Sequence, residues 1–268
     1  MHIVVTNDDG VFEPGLLALA RALRQIPGST VSVVAPERDW SVSGHVKTLT
    51  RPLRAWPVQL EDGSEALATD GAPSDCVAMA LLGLVPQPVD LVVSGINPNA
   101  NVGHDITYSG TVTAAMEAVI FGVPAVAVSL EREGAPLGQL DFAPAAQVAR
   151  RVAEYVLRRG LPEEILLNVN VPHRPLEALQ GLRVTRLGRR VYRDALVRRE
   201  DPWGRPYYWI GGGVPEGVAE PGTDIGALAE GAVSVTPIQM DMTAYGVLDD
   251  LQGGLEGLPG PWETGGAA

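Results

Sequence analysis

The fold is decided by residues 2–10, His-Ile-Val-Val-Thr-Asn-Asp-Asp-Gly, a short apolar run that ends directly in two adjacent carboxylates. The β-branched run predicts a buried strand, and loops that leave strand ends are where open α/β sheets bind ligands. Asp8 and Asp9 repel each other unless a positive group lies between them. A divalent cation is the simplest such group, because hard cations take oxygen ligands. A turn that caps the following helix is the alternative interpretation.

Further along the chain, short β-branched runs alternate with longer helical patterns. Strands are predicted over residues 2–6, 31–35, 89–94, 124–130 and 165–171, and helices over residues 14–25, 73–84, 109–121 and 141–159. Strands separated by helices of this length imply right-handed βαβ units. We therefore predict a Rossmann-like α/β fold, with a mainly parallel sheet and helices on both faces.

The pattern changes after about Gly181. Residues 186–215 are rich in Arg, Tyr, Trp and Gly without a helical period, which we interpret as a β-hairpin arm whose exposed aromatic side chains form an oligomer contact. A further strand is predicted over 233–237, and a short helix or turn over 240–248. The predicted organisation is a catalytic core (1–185), an oligomerisation region with the arm, returning strand and C-terminal helix (186–252), and a flexible tail (253–268).

Composition excludes several classes of function. The chain has 268 residues and a formal net charge of −12, which argues against a nucleic-acid polymer or an anionic membrane as partner. It does not argue against a small phosphorylated substrate. Cys76 is the single cysteine, the first 30 residues lack a signal-peptide pattern, and no apolar run approaches the ~20 residues of a spanning helix. We expect a cytoplasmic protein.

A loop rich in hydroxyl groups, residues 36–45, follows the second predicted strand. It should lie at the same sheet edge as the two acids. The hydroxyls of Ser41 and Ser43 can ligate a metal or hold a phosphate, and Gly44 permits close backbone approach. An ordinary polar loop is the alternative interpretation.

A third loop and a helix start complete the polar set. Asn97, Asn99 and Asn101 stand at alternate positions after the strand predicted over 89–94, where they can occupy left-handed turn positions or supply amide-oxygen ligands. Residues 108–111, Tyr-Ser-Gly-Thr, then open a helix and offer free N–H groups at its positive end. A simple N-cap at Ser109 is the alternative.

Taken together, these parts predict a metal ion bound against a phosphate. The four histidines show no zinc-binding spacing, and the chain contains neither a G-x-S-x-G elbow nor a P-loop. These absences argue against a catalytic zinc site, a serine hydrolase and a P-loop NTPase.

Four ordered motifs resemble those of the stationary-phase survival protein SurE family. The motifs are Asn7-Asp8-Asp9-Gly10, Ala35-Pro36 with Ser41 and Gly44-His45, Ser94-Gly95-Ile96-Asn97, and Ser109-Gly110-Thr111 with Ala114-Ala115-Met116-Glu117. Shorter matches extend to residues 167–172, 184–186, 208–210, 222–224 and 235–237. The family consists of metal-dependent 5′-nucleotidases or, more broadly, phosphomonoesterases, so the resemblance implies that activity here.

The resemblance also implies roles for individual residues. The implied metal ligands are Asp8, Asp9, Ser41 and Asn97. The implied phosphate or substrate contacts are Asn7, Ser43, Gly44, Asn101, Ser109, Gly110 and Thr111. Val42 stands where some members have Gly directly after the ligand Ser, so either Ser41 or Ser43 can be the ligand. Asn99 stands where many members have Gly, and Asn is the non-glycine residue best suited to a left-handed turn.

The hypothesis is hydrolysis of nucleoside 5′-monophosphates by a metal-activated water, with one Mg²⁺ or Mn²⁺ per subunit. Asp8 or Asp9 can also orient or deprotonate that water. Two alternatives stay open, a nucleotide- or metal-sensing module without turnover and a phosphatase that forms an aspartyl-phosphate, although adjacent acids fit the second poorly. We expect a homodimer or homotetramer.

Overall fold

A computed structural model describes residues 1–132, 134–192, 194–212 and 216–255. The strands are β1 (His2–Thr6), β2 (Thr30–Pro36), β3 (Ala55–Gln59), β4 (Glu65–Thr69), β5 (Leu91–Asn97), β6 (Ala125–Glu131), β7 (Ile165–Pro172), β8 (Leu182–Val184), β9 (Arg189–Val191), β10 (Asp194–Glu200), β11 (Pro206–Gly212), β12 (Glu216–Val218) and β13 (Val233–Gln239). The helices are α1 (Pro14–Leu23), α2 (Pro73–Met79), α3 (Gly110–Ile120), α4 (Ala143–Arg159), α5 (Asp224–Ala229) and α6 (Leu248–Leu255).

Within the described residues, nine strands form one sheet in the order β3-β4-β2-β1-β5-β6-β7-β13-β8. The strands from β4 to β7 in this order are parallel, whereas β3 and β13 are antiparallel to their neighbours β4 and β7. The chain leaves β1 to build one half of the sheet and returns to β5 for the other. A topological switch point therefore lies between β1 and β5, which is where ligands bind in such sheets. The predicted fold class is confirmed.

Helices cover both faces of the sheet because residues along β1 point alternately to opposite sides. Ile3 and Val5 belong to the core beneath α1 and α4, and Val4 belongs to the core beneath α2 and α3. All three side chains have no exposed surface. The central strand is thus buried on both faces, and its carboxyl end can place polar groups only at the sheet edge.

The predicted helices and strands are present, but several of their ends are shifted. The helix or turn predicted over 240–248 begins later than predicted. The α-helix predicted over 73–84 ends at Met79 and continues as a π-helical turn over Ala80–Leu84. Strand β5 runs on to Asn97, with a register irregularity between Ser94 and Asn97, so Asn97 ends a strand. The helix or turn predicted over 240–248 is a 3₁₀ turn at Tyr245–Val247, followed by α6.

The predicted hairpin is confirmed, since β10 and β11 pair antiparallel with Val197 opposite Trp209. Strands β9 and β12 form a second antiparallel pair. Strand β13 then returns to the main sheet, where it lies between β7 and β8. Residues 253–255 of the predicted tail lie in α6, while residues 256–268 lie outside the described residues. In the described part of the chain, no helix has the length and apolar character needed to cross a membrane.

Candidate metal and phosphate site

Two acids stand at the carboxyl end of β1, beside the switch point. Asp8 is buried and Asp9 is partly buried. The turn that follows is built by Asn7, whose Nδ2 donates to the Gly10 carbonyl at 2.9 Å and whose Oδ1 accepts from the Gly10 N–H at 3.3 Å. Gly10 has a φ of +129°, which non-glycine residues rarely adopt. The turn is therefore held by hydrogen bonds of the Asn7 side chain, and the carboxylates of Asp8 and Asp9 take no part in it.

The start of helix α3 packs directly against Asp8. The Thr111 hydroxyl donates to Asp8 Oδ1 at 2.5 Å, and the Thr111 N–H also donates to this carboxylate. A Cβ at Gly110 would lie 2.6 Å from Asp8 Cβ and 2.8 Å from Oδ2, so only glycine fits there. Ser109 is the N-cap, because its Oγ accepts from the Val112 N–H at 3.1 Å. The positive end of a helix thus adjoins the acid pair.

The electrostatics of the pair favour a bound cation. Burial raises the pKa of Asp9 to about 8, and the charges of Asp8, Glu13 and Asp39 add to this effect. Burial also raises the pKa of Asp8, although the hydrogen bonds from Thr111 partly oppose the increase. Both carboxylates are therefore costly to ionise in this environment, and a positive ion between them would remove that cost.

The hydroxyl loop is tied to both preceding features. The Trp40 N–H donates to the Asp8 carbonyl at 2.8 Å, which holds the loop beside β1. The Gly44 N–H donates to the Tyr108 carbonyl at 3.0 Å, and the Thr113 hydroxyl donates to the Gly44 carbonyl at 3.0 Å. The loop therefore bridges the acid pair and the first turn of α3, as its position after β2 predicts.

Ser41 and Ser43 differ in their local bonding. Both the N–H and the hydroxyl of Ser41 donate to Asp39 Oδ1 at 2.6 Å, which leaves the lone pairs of the Ser41 oxygen free to bind a ligand. The Ser43 N–H donates to the Trp40 carbonyl at 3.2 Å and its hydroxyl donates to the Gly44 carbonyl at 3.4 Å, so its oxygen also keeps lone pairs for a ligand. Val42 between them has a φ of +59°, a conformation that β-branched residues rarely adopt. This conformation explains why glycine suits the position.

Asn97 ends β5 next to β1, whose Thr6 pairs in register with Ser94. Its amide nitrogen donates to the Asn99 carbonyl at 2.5 Å, so its Oδ1 remains an acceptor. The suggested left-handed turn positions are not used, because Asn97, Asn99 and Asn101 all have negative φ. Asn99, which stands where Gly is common in the family, therefore does not adopt a left-handed backbone conformation here.

Asn101 is buried in a network of amides and hydroxyls. Its N–H donates to Asn170 Oδ1 at 2.8 Å and its side-chain amide donates to Ser129 Oγ at 2.9 Å. The Asn101 carbonyl accepts from the amide groups of Asn168 and Asn170 at 2.8 and 3.0 Å. These bonds fix the third loop to β6 and β7. Residue-by-residue reasoning missed these three partners, although the polar positions in the apolar run at 165–171 were a visible signal.

The donor set fits a hard divalent cation. Asp8 and Asp9 offer carboxylate oxygens, Ser41 a hydroxyl oxygen and Asn97 an amide oxygen, and the observed hydrogen bonds turn the protons of the last two elsewhere. Among the described residues, no group of three or more His, Cys, Asp or Glu side chains could hold a metal. An ion at the acid pair would therefore need neutral oxygens as well.

A large apolar groove of about 1150 Å³ lies elsewhere, against α4, β7, β8 and β13. None of the candidate site residues lines it, and its walls are mainly aliphatic. Hydrolysis and ion binding need convergent polar groups, so we assign the chemistry to the edge of the sheet at β1 and β5 rather than to the groove.

Comparisons with known proteins agree in both sequence and structure. The family model described as survival protein SurE matches residues 3–194. The chain is 55% identical over 252 residues to the 5′-nucleotidase SurE of Chloroflexus aggregans, covering 94% of this chain and 98% of that one. It is also 55% identical to the 5′-nucleotidase SurE of Herpetosiphon aurantiacus, covering 91% and 94%. The crystal structure of the SurE protein from Aquifex aeolicus matches with a TM-score of 0.79 at 38% identity, covering 94% and 98%.

Proposed function

The chain belongs to the survival protein SurE family, and from that premise we propose that it is a metal-dependent 5′-nucleotidase, a phosphomonoesterase that converts nucleoside 5′-monophosphates to nucleoside and phosphate. One observation carries the proposal, namely the contact of Gly110 and Thr111 with Asp8. It joins a helix start that attracts anions to an acid pair that attracts cations. A phosphate monoester with a divalent ion uses both.

We assign the ion to Asp8, Asp9, Ser41 and Asn97, with Ser43 as the alternative hydroxyl ligand. One Mg²⁺ or Mn²⁺ per subunit suits this all-oxygen set better than Zn²⁺. When bound, the ion would neutralise phosphate oxygens and lower the pKa of a coordinated water.

The chain's own residues then have distinct roles in the proposed reaction. With the ion bound, Asp8 or Asp9 would orient the attacking water or accept its proton. Asp8 is held in one orientation by the two hydrogen bonds from Thr111. The helix start at Ser109 and Gly110 stabilises the charge that develops on the phosphoryl group.

Four further residues support this arrangement. Asn7 shapes the acid turn, and Asn101 anchors the third loop, so both act on substrate through the backbone that they hold. Ser43 and Gly44 line the facing loop and offer a hydroxyl and a closely approaching backbone. Their contacts with substrate are part of the proposal.

The test measures phosphate release from AMP or GMP, and from a generic aryl phosphate, with Mn²⁺ and with excess chelator. We expect turnover that chelator abolishes and that the double variant Asp8→Asn/Asp9→Asn lacks. Undiminished turnover in either case would overturn the proposal. AMP binding without phosphate release would identify a sensing module, and labelled phosphate trapped on the protein would identify an aspartyl-phosphate enzyme.

We also propose that the arm (residues 186–215) joins copies of the chain into a homodimer or homotetramer, because its aromatic side chains are exposed in the single chain. We further propose that the enzyme is cytoplasmic. A single buried cysteine such as Cys76 fits a compartment in which thiols stay reduced.

A further inference from the structure

A fully buried carboxylate, Asp224, lies outside the chemistry proposed above. It opens helix α5 and has no exposed surface. Its Oδ2 accepts from the Gly103 N–H at 2.8 Å, and its Oδ1 accepts from the N–H groups of Gly188 and Ile225 at 2.7 and 2.8 Å. A buried charge persists only with such donors, so these three bonds hold together three separate backbone segments.

One of those segments is the third loop of the candidate site. Gly103 stands midway between Asn97 and Ser109, and it is the first residue of the 3₁₀ helix Gly103–Thr107. That rigid turn ends just before Ser109, the N-cap of α3. A displacement of the Gly103 N–H would therefore be transmitted to the helix start that contacts Asp8.

The second segment is residues 188–192, which we call the arm base. A Cβ at Gly103 would lie 2.7 Å from the Gly188 carbonyl, so the two backbones are in direct contact. Arg190 and Tyr192 also donate to the carboxylate of Asp105 on the same 3₁₀ turn. The arm base therefore contacts the third loop directly through Gly188 and through Asp105, and Asp224 adds a buried bridge between Gly188 and Gly103.

We propose that Asp224 is a positioning residue for the phosphatase reaction: its carboxylate fixes Gly103, and through it the loop that carries Asn97 and leads to Ser109. The inference rests on the proposed function. Asp224 touches neither ion nor substrate. It acts at a distance, by fixing the Gly103 backbone between Asn97 and Ser109.

Two glycines provide a matched pair of test variants. A Cβ at Gly188 would lie 2.8 Å from Asp224 Oδ1 and 2.9 Å from Ile225 Cδ1, whereas the three atoms nearest to a Cβ at Gly217 all belong to Ile225, the first at 2.8 Å. Gly188→Ala therefore displaces the carboxylate, and Gly217→Ala crowds the same neighbour without doing so. Asp224→Asn removes the charge and one of the acceptor oxygens.

The measurements are Mn²⁺ affinity by calorimetry, amide hydrogen exchange of the peptide over residues 99–108, and the KM and kcat for AMP. For Gly188→Ala and Asp224→Asn we expect roughly 10-fold weaker Mn²⁺ binding, the lower end of the effect of losing a direct partner of a metal ligand, together with faster exchange in that peptide and a raised KM. Gly217→Ala should change all three less than Gly188→Ala does, because its Cβ presses on the Ile225 side chain and not on the Asp224 carboxylate.

Equal behaviour of Gly188→Ala and Gly217→Ala in exchange and Mn²⁺ affinity would overturn the inference. If Asp224→Asn does not fold, the glycine pair decides alone. A wild-type protein that lacks AMP hydrolysis would instead refute the proposed function, and the exchange measurement would still report whether Asp224 holds the loop.

Discussion

Thr111 donates its hydroxyl proton to Asp8 across 2.5 Å, although 103 residues separate the two in the chain. This bond opposes the effect of burial on the pKa of Asp8 and fixes the orientation of its carboxylate. We expect Thr111→Val to lower kcat/KM for AMP by about 10- to 100-fold, as for other outer-shell partners of metal ligands. Thr111→Ser, which keeps the hydroxyl, should retain most of the activity. Phosphate release at varied Mn²⁺ measures both, and a Val variant as active as the Ser variant would contradict the role.

Gly110 leaves room for Asp8, so a methyl group there should displace the acid. A Cβ at Gly110 would lie 2.6 Å from Asp8 Cβ, whereas a Cβ at Gly138 would meet no atom within 4 Å. We expect Gly110→Ala to weaken Mn²⁺ binding by at least about 10-fold and Gly138→Ala to leave it unchanged. Calorimetric titration with Mn²⁺ checks this expectation. Equal affinities for the two variants would count against the close packing of helix α3 on the acid.

The raised pKa of Asp9 predicts how the metal-free protein responds to pH. Folded Asp9 holds its proton up to about pH 8, whereas unfolded Asp9 loses it near its ordinary value of 3.8. The folded state binds more protons between these values, so this residue makes stability fall as pH rises through that window. Urea unfolding in excess chelator should show a shallower decline for Asp9→Asn than for the wild type.

The same argument predicts that stabilisation by Mn²⁺ grows between pH 6 and pH 8, because the ion replaces a proton that the folded site otherwise keeps. Melting temperatures with and without Mn²⁺ measure the effect. A Mn²⁺ shift that is independent of pH in the wild type would be inconsistent with burial as the cause of the raised pKa of Asp9.

Glu117 tethers the far end of the hydroxyl loop to helix α3. Its buried carboxylate lies 2.6 Å from Lys47 Nζ and 2.9 Å from His45 Nε2. Burial tends to raise the pKa of Glu117, but the hydrogen bonds from His45 and Lys47 outweigh it, so the pKa is lowered. The stabilisation is therefore present at neutral pH and is lost as pH falls through the lowered pKa.

We accordingly expect Lys47→Met to lower the free energy of unfolding by about 1 to 3 kcal/mol at pH 7, because it leaves a buried charge with one partner fewer. The loss should shrink under acid conditions. Arg24→Met, which breaks a surface pair at 3.5 Å from Asp62, should cost below about 1 kcal/mol. Urea unfolding at both pH values tests this, and equal losses for the two variants would refute the tether.

The arm predicts self-association. Trp209 on β11 is 65% exposed in the single chain, and large aromatic side chains left exposed in this way are typical of interfaces. We expect Trp209→Ser to shift the mass measured by light scattering toward the monomer. Leu82→Ser, which removes a 75% exposed apolar side chain from another surface, should not. A monomeric wild type at micromolar concentration would refute the assembly.

The central strands were predictable because β1, β2 and β5 to β7 are mainly apolar runs between helical patterns, as expected of a parallel sheet buried on both faces. The β3–β4 hairpin was not predicted, since Ala55–Gln59 contains a proline and shows no strong alternation. Helix α5 was missed because its six residues are too few to show a period. Its Asp224 became visible only once folding brought Gly103 and Gly188 together.

For the candidate site, the order of motifs indicated which loops meet, and the structure brings them together at one sheet edge. Hydrogen bonding inside that edge was not readable from spacing. Nothing in the sequence shows that Asn7 builds the turn or that Thr111 bonds to Asp8, because both depend on the backbone path of loops between distant strands.

The central place of β1 has a consequence for synthesis of the chain. Thr6 pairs with Ser94, so β1 cannot gain its neighbour β5 until about 90 further residues have left the ribosome. At the usual 5–20 residues per second, that interval is roughly 4 to 18 seconds. During it, an apolar strand edge is unprotected, and the nascent chain should depend on chaperones for longer than one whose first two strands form a hairpin.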